Sequence, residues 1–345
     1  MAFSQLPSCS IRAICSSVPT RVFDNLTETT AFPPAEVDKV VKMAGVRTRH
    51  LAPEATCSSD LCTAAARQVL SRLNWAPESV DGLIFVTQSP DYLLPSTSCL
   101  AHHHLGLSDR CAAFDVGLGC SGYPYALWLA TMMLAGGGLK RVLVLHGETP
   151  SRFSDGSDRA VALLFGDAGS ATALEASPSP SAAPWGFSLH TDGTGWRDLI
   201  IEGGGFRDRT PADPRKLCVA MNGANIFNFT IKRIPTLVEE TLRGAGLAAE
   251  SVDYFVLHQS NLFIMRHLAK KMQIPESKLP QTIQRYGSTG GPSIPLTITQ
   301  GGLVRPADRA LKLLLVGYGV GLSWGSALID LPPDTILDHV VFNPN

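Results

Sequence analysis

The 345-residue sequence has no excess charge of either sign, with a formal net charge of −1. That balance gives no electrostatic case for nucleic acid or an anionic membrane surface. Small molecules or another protein are the expected partners. No run of about 18 apolar residues occurs, so no transmembrane helix and no membrane association are expected. The opening "MAFSQLPSCSIRAICSSVPT" lacks a basic start followed by an unbroken apolar core, and is a poor signal peptide. Eight cysteines (9, 15, 57, 62, 99, 111, 120, 218) show no CxxC pair and no regular spacing. A disulfide framework is therefore not expected, and reduced thiols in a cytoplasmic protein fit better.

Further absences narrow the chemistry. No GKS or GKT follows the glycine-rich stretches, and "GGGLKR" (136–141) lacks GxGxxG spacing. Neither a phosphate loop nor dinucleotide binding is supported. The run His102, His103, His104 has no carboxylate or cysteine at ligand spacing, and adjacent residues of a regular element cannot converge on one ion. No metal is expected.

What is present is an alternation of apolar runs and amphipathic segments, the pattern of an α/β protein. Strands are expected at 83–87, 141–146, 254–258 and 311–317, and helices at 58–73, 227–246 and 261–272. "ESVDGLIFVTQS" (78–89) resembles "ESVDYFVLHQS" (250–260), and the strand with trailing glycine at 141–147 is echoed at 311–317. Chance likeness of apolar strands would also produce such pairs, but two similar halves suggest a duplication. The low-complexity "ASPSPSAAPW" (176–185) reads as the surface connection between them. The expected halves are 1–178 and 179–345.

Cys120 stands in "FDVGLGCSGYPYALWLATMML" between Gly119 and Gly122. A nucleophilic cysteine needs surroundings that stabilise a thiolate. A helix beginning at Ser121 would place Cys120 at its positive end, and Pro124 is tolerated in a first turn. The segment from Tyr125 to Leu134 is apolar all round, so this helix should be central. A buried free cysteine is the commoner fate of the residue type, and spacing alone leaves both readings open. His258 ends the strand "YFVLH" where acid–base work or a hydrogen bond to a carbonyl is possible, although a satisfied core histidine is more usual. "VGYGVGLSWGSAL" (316–328) joins two strands through glycines and can offer a backbone N–H to an oxyanion.

Together "GVRTRH" (45–50), "FDVGLGCSGYPYAL" (114–127), "LFGDAGSATAL" (164–174), "LHQSNLFIM" (257–265), "YGSTGGPSIP" (286–295) and "GYGVGLSWGSAL" (317–328) resemble the ketoacyl synthase III family of the thiolase superfamily. The resemblance runs nearly the whole chain. It implies an α/β five-layer αβαβα sandwich made of two duplicated βαβαβ halves, and a homodimer or a heterodimer of related subunits. It implies that Cys120 accepts the acyl group and that His258 is the catalytic histidine. The oxyanion hole falls on the backbone N–H groups of Cys120 and Val320. Arg159 matches an arginine at the adenine end of coenzyme A, and Leu94 and Val219 match positions bordering the acyl tunnel. The substrates implied are thioesters of coenzyme A or acyl carrier protein, with no separate cofactor.

Two departures are visible. Where the family has an asparagine in a "GNT" loop, this chain reads Gly287-Ser288-Thr289. Serine is shorter and has one donor where the amide has two. Losing one well-placed donor to a developing enolate typically costs ~10²–10³ in rate. The family also stacks adenine on a tryptophan shortly before the "GVRTRH" match, and no tryptophan precedes Trp75 here. A protein-borne acyl donor, or a different grip on coenzyme A, is therefore expected. The leading expectation is decarboxylative condensation of acyl-Cys120 with a malonyl-type thioester. The rivals are acyl transfer to an alcohol or amine, a partner subunit of a heterodimeric condensing enzyme, and a cysteine hydrolase. A hydrolase would need an orienting carboxylate that no motif identifies.

Overall fold

The computed structural model describes residues 3–7, 9–176 and 183–344. The expected boundary at 178/179 lies outside these residues. Two sheets carry the fold. The first has six strands in the order Ile336–Phe342, Cys9–Pro19, Ala168–Ala176, Arg141–Glu148, Gly82–Val86, Ala112–Val116. The second has five, in the order Ser4–Leu6, Trp185–Thr191, Ser323–Leu331, Leu311–Gly319, Tyr254–Leu257. The helices Gly122–Ala135 and Ser293–Gln300 each pack against strands of both sheets and form the middle layer. Ser58–Leu73 and Thr97–Leu105 cover the outer face of the first sheet, and Gly223–Ala245 covers that of the second with Leu262–Lys271 packed on it. Five layers result, as the resemblance implied.

Local chemistry explains these elements. Ser58–Leu73 buries Leu61, Cys62, Ala65, Ala66, Val69 and Leu70, which recur at helical spacing on one face. Asp60 accepts the Cys57 N–H at 2.8 Å at its start, and Asn74 at φ 52° ends it. Gly122–Ala135 has no charged residue, because both of its faces meet a sheet. Tyr123, Ala126, Leu127, Ala130 and Leu134 join Ile84, Val86, Val142 and Val144 of the first sheet and Leu313, Leu315, Ala327 and Ile329 of the second in one core.

The duplication is visible in matched contacts. Gly82–Val86 runs parallel to Arg141–Glu148, and Tyr254–Leu257 runs parallel to Leu311–Gly319. Asp81 N–H donates to the Arg141 carbonyl at 2.9 Å, and Asp253 N–H donates to the Lys312 carbonyl at 2.9 Å. The carboxylates of the same two aspartates accept the N–H groups of Arg141 and Lys312. The terminal strands cross between the halves: Ser4–Leu6 pairs with Trp185–Thr191, and Ile336–Phe342 pairs with Cys9–Pro19. The parallel strands of both sheets point their C-terminal ends at one place, the usual location of a site in such sheets.

Candidate active site

Cys120 follows the strand Ala112–Val116 and precedes Gly122–Ala135, with Ser121 at the N-cap position. It opens onto a cavity of ≈ 240 Å³ whose walls include Phe153, Phe165, Leu199, Ile200, Ile201, Val219 and Val320. Gln88 and Glu148 are the polar side chains lining it. Two backbone N–H groups, those of Val320 and of Cys120 itself, face the sulfur. They pull its pKa down, but burial first and the Glu148 carboxyl second push it up to about 12. The helix end expected to favour a thiolate is outweighed by burial, and the resting group is a thiol.

The glycines around the sulfur are demanded by close approach. A β-carbon on Gly319 would lie 2.8 Å from Cys120 Cβ and 3.0 Å from Sγ, and one on Gly317 would lie 2.7 Å from the Cys120 carbonyl oxygen. The hairpin carrying Val320 thus presses its backbone against the cysteine. Ser121 and Ser323 lie Oγ to Oγ at 2.6 Å, and Ser323 donates to the Val320 carbonyl at 2.9 Å. These serines tie the two N–H-bearing loops together. No motif singled them out.

His258 is buried one residue beyond Tyr254–Leu257. Its Nδ1 lies 2.8 Å from Ser293 Oγ at the start of the second central helix, and the Gly290 carbonyl accepts from the same ring. Burial drives its pKa down to about 4, with the Gly290 bond opposing, so the ring is neutral at neutral pH. Ser288 is buried as well. Its N–H donates to the Leu164 carbonyl at 2.9 Å, and its carbonyl accepts from Gly166 at 3.1 Å. The loop after Ser288 delivers Gly290 to the cavity wall.

The structure therefore gathers Cys120, Val320 and Val219 at one cavity, with His258 joined to it through Gly290. It does not bring Leu94 or Arg159 there. Leu94 is 87% exposed on the loop beyond Gly82–Val86, beside exposed Tyr92 and Leu93, and does not line the cavity. Arg159 lies at the surface, its Nη1 2.8 Å from Glu36 Oε2 of the helix Pro34–Ala44. The histidine run falls on the helix Thr97–Leu105, with His102 Nε2 2.9 Å from the Ser108 carbonyl. Among the described residues, no group of three or more His, Cys, Asp or Glu is arranged to hold a metal ion, and no helix is long and apolar enough to cross a membrane.

Two buried groups escaped the sequence reading. Glu148 accepts the Gln88 N–H at 2.8 Å and the Ser89 hydroxyl at 2.7 Å, yet burial still pushes its pKa up to about 7. His146 lies two residues earlier on the same strand, fully buried. The signal was the polar alternation in "LHGE", inside a run otherwise read as apolar core.

Five layers, a duplicated strand order and a cysteine at the head of an inner helix define a thiolase-type fold. The chain belongs to the β-ketoacyl-[acyl-carrier-protein] synthase III family, a family of acyl-transferring condensing enzymes. The model of 3-oxoacyl-[acyl-carrier-protein] synthase III matches residues 114–193, and the model of its C-terminal part matches 242–331. The chain is 35% identical over 292 residues to the β-ketoacyl-[acyl-carrier-protein] synthase III of Thiobacillus denitrificans, covering 84% of this chain and 89% of that one. A 3-oxoacyl-(acyl-carrier protein) synthase structure from Burkholderia xenovorans LB400 is 41% identical, with a TM-score of 0.94 over 99% of each chain. The priming β-ketosynthase of the R1128 polyketide pathway is 26% identical, with a TM-score of 0.84 over 95% of this chain and 97% of that one.

Proposed function

We propose that Cys120 takes an acyl group from a thioester and that the chain then condenses it with a malonyl-type thioester to give a β-ketoacyl product. The observation that carries this reading is the convergence of the Cys120 and Val320 N–H groups on the sulfur at the end of an apolar cavity. Attack of Sγ on the thioester carbon places the developing oxyanion beside that pair of donors. The donor's thiol leaves with the proton that Cys120 gives up, and a thioester on Cys120 remains. Neutral His258 has one N–H, which on this reading turns from the Gly290 carbonyl to donate to the second thioester's carbonyl as that thioester enters. Loss of carbon dioxide leaves an enolate, whose carbon attacks the acyl group and expels the Cys120 thiolate, which takes one proton from solvent to become the thiol again.

Ser288 supports a second reading, acyl transfer to an alcohol or amine with His258 as general base, since it offers one donor where an amide would offer two. Acyl carrier protein or coenzyme A would deliver the thioesters in a cytoplasmic setting, with no further cofactor. The open edge strand Ala112–Val116, with Phe114 exposed on it, suits pairing with a second copy or a related subunit. On this reading the halves divide near 178/179, one carrying Cys120 and the other His258 and Ser288.

Incubation with acyl-coenzyme A and acyl-carrier-protein donors is expected to add one acyl mass at Cys120, and Cys120→Ala none. Absence of an adduct with every donor removes the catalytic reading. With malonyl-carrier protein, carbon dioxide and a β-ketoacyl product identify condensation, and their absence leaves transfer.

A further inference from the structure

Cys120 and Glu148 are the ionisable side chains on the wall of the cavity, and none of the other lining residues is a cation. Gln88 adds a neutral amide, and the remaining walls are glycine, proline and apolar side chains such as Phe153, Ile200 and Val219. Glu148 is buried, and among the described residues no cation pairs with it. Its carboxylate is held by neutral donors instead. Oε1 accepts the Gln88 N–H and Oε2 the Ser89 hydroxyl, whose oxygen accepts the Thr149 N–H at 3.0 Å. On its other side, a β-carbon on Gly290 would lie 3.2 Å from Glu148 Cγ. These bonds fix the group in the wall, and neutral dipoles leave its charge in place.

A cavity of this kind sorts acyl groups by charge. An alkyl chain on Cys120 gains by burial and asks nothing of Glu148. An acyl group ending in a carboxylate must shed its water, finds no cation, and brings a second negative charge into ≈ 240 Å³. Little water stands between the two charges to screen them. The proposed chemistry needs such discrimination, because the second thioester itself bears a carboxylate. Its transfer to Cys120 would occupy the nucleophile with the wrong acyl group.

We propose that Glu148 is a specificity-determining residue: its carboxylate bars anionic acyl groups, malonyl and succinyl alike, from Cys120 and leaves the cavity to uncharged ones. The covalent step it governs is the one already described. The Sγ–C bond forms, the donor's C–S bond breaks, and the donor thiol leaves with the Cys120 proton. The inference rests on the reading of Cys120 as acyl acceptor, and its test separates the two.

Glu148 titrates near neutrality, since burial first and the Asp167 carboxylate last raise it to about 7 against its hydrogen bonds. Cys120 across the cavity and Cys62 on the helix packed behind are pushed up by burial. His146 on the same strand and His258 beyond Gly290 are pushed down. These four are uncharged at neutral pH. Asp167, beside the strand Ala168–Ala176, and Asp91, bonded to Ser59 of that helix, add negative charge. The barrier to anionic acyl groups therefore strengthens as pH rises through 7.

The test is pre-steady-state acylation of Cys120, followed by mass, with butanoyl and succinyl thioesters carried on coenzyme A and on acyl carrier protein. The quantity read is the succinyl-to-butanoyl rate ratio, in which any change in the reactivity of Cys120 cancels. Glu148→Gln keeps an acceptor for the Gln88 N–H and removes the charge. Its ratio at pH 8 is expected to exceed that of wild type about tenfold. The wild-type ratio should rise by up to about tenfold from pH 8 to pH 6, as Glu148 is protonated while the succinyl carboxyl stays ionised. The Glu148→Gln ratio should stay flat over that range. A variant ratio equal to that of wild type at pH 8 overturns the proposal. So does a wild-type ratio indifferent to pH, which decides the matter even if the variant fails to fold. A wild type acylated by neither donor sinks the reading of Cys120 instead.

Discussion

Gly291 lacks a β-carbon where the imidazole of His146 stands, Nε2 being 2.0 Å from the place one would occupy. The two positions are 145 apart in no local pattern, yet they share one volume between the cysteine loop and the second central helix. Gly291→Ala should therefore push the imidazole or the loop aside, with a destabilisation of about 1–3 kcal/mol, as for other overpacked cores. His146→Gly empties the same space, so the double variant should be more stable than the sum of the single effects allows, with a coupling of about 0.5–3 kcal/mol. Urea denaturation of the four proteins measures it. Strict additivity would show that the two residues do not compete.

Ser288 bears on which second half-reaction survives. Its backbone is held on both sides by Leu164 and Gly166, so replacing the side chain should leave the loop in place. Ser288→Asn restores a second donor, and decarboxylation of malonyl-carrier protein is expected to rise by up to ~10²-fold if that donor reaches the carbonyl. Acylation of Cys120 should not change. A carbon dioxide release rate equal to wild type would show that serine is not what restrains condensation.

Much of this arrangement was legible in the sequence. The helix expected at 58–73 is Ser58–Leu73, and the four expected strands fall on Gly82–Val86, Arg141–Glu148, Tyr254–Leu257 and Leu311–Gly319. Those strands are buried on both faces, so their apolar runs announce them. Cys9–Pro19 and Ala168–Ala176 escaped because their buried positions include small and hydroxylated residues such as Ser16, Ser17, Ser170 and Thr172, which read as loop. The crossing of the terminal strands between the two sheets rests on long-range pairing that no local pattern encodes. Cys120, His258 and Val320 were legible through motif order. Ser293, Ser323 and His146 were not, because their partners lie far away in sequence.

Arg159 tests how the acyl donor is held. Its ion pair with Glu36 is exposed, and pairs of that kind are weak in water, so the guanidinium can exchange Glu36 for a phosphate at little loss. If coenzyme A is the donor, Arg159→Ala should raise KM for acyl-coenzyme A about tenfold while kcat changes little, since Arg159 does not line the cavity at Cys120. If a carrier protein is the donor, that variant should leave KM for the acyl-carrier substrate unchanged. Equal KM values for both donors in wild type and variant would remove Arg159 from substrate binding.

Acid sensitivity follows from the two buried histidines. Burial takes His258 down to about 4 and His146 down to about 3, against about 6.5 in an unfolded chain. Between those values the unfolded chain binds protons that the folded protein refuses, so stability is full above about pH 7 and is lost as pH falls through 6.5 toward 4. Each such histidine contributes a slope of about 1.4 kcal/mol per pH unit. Glu148 acts in the opposite sense, since its pKa is raised to about 7 and its contribution is fullest at low pH. The wild-type curve therefore mixes both, and the difference between wild type and His146→Leu isolates one ring. Urea unfolding from pH 7.5 to 4.5 should show a shallower acid loss for the variant by about 1.4 kcal/mol per pH unit below 6. Parallel curves for the two proteins would mean that His146 is not held neutral by its surroundings.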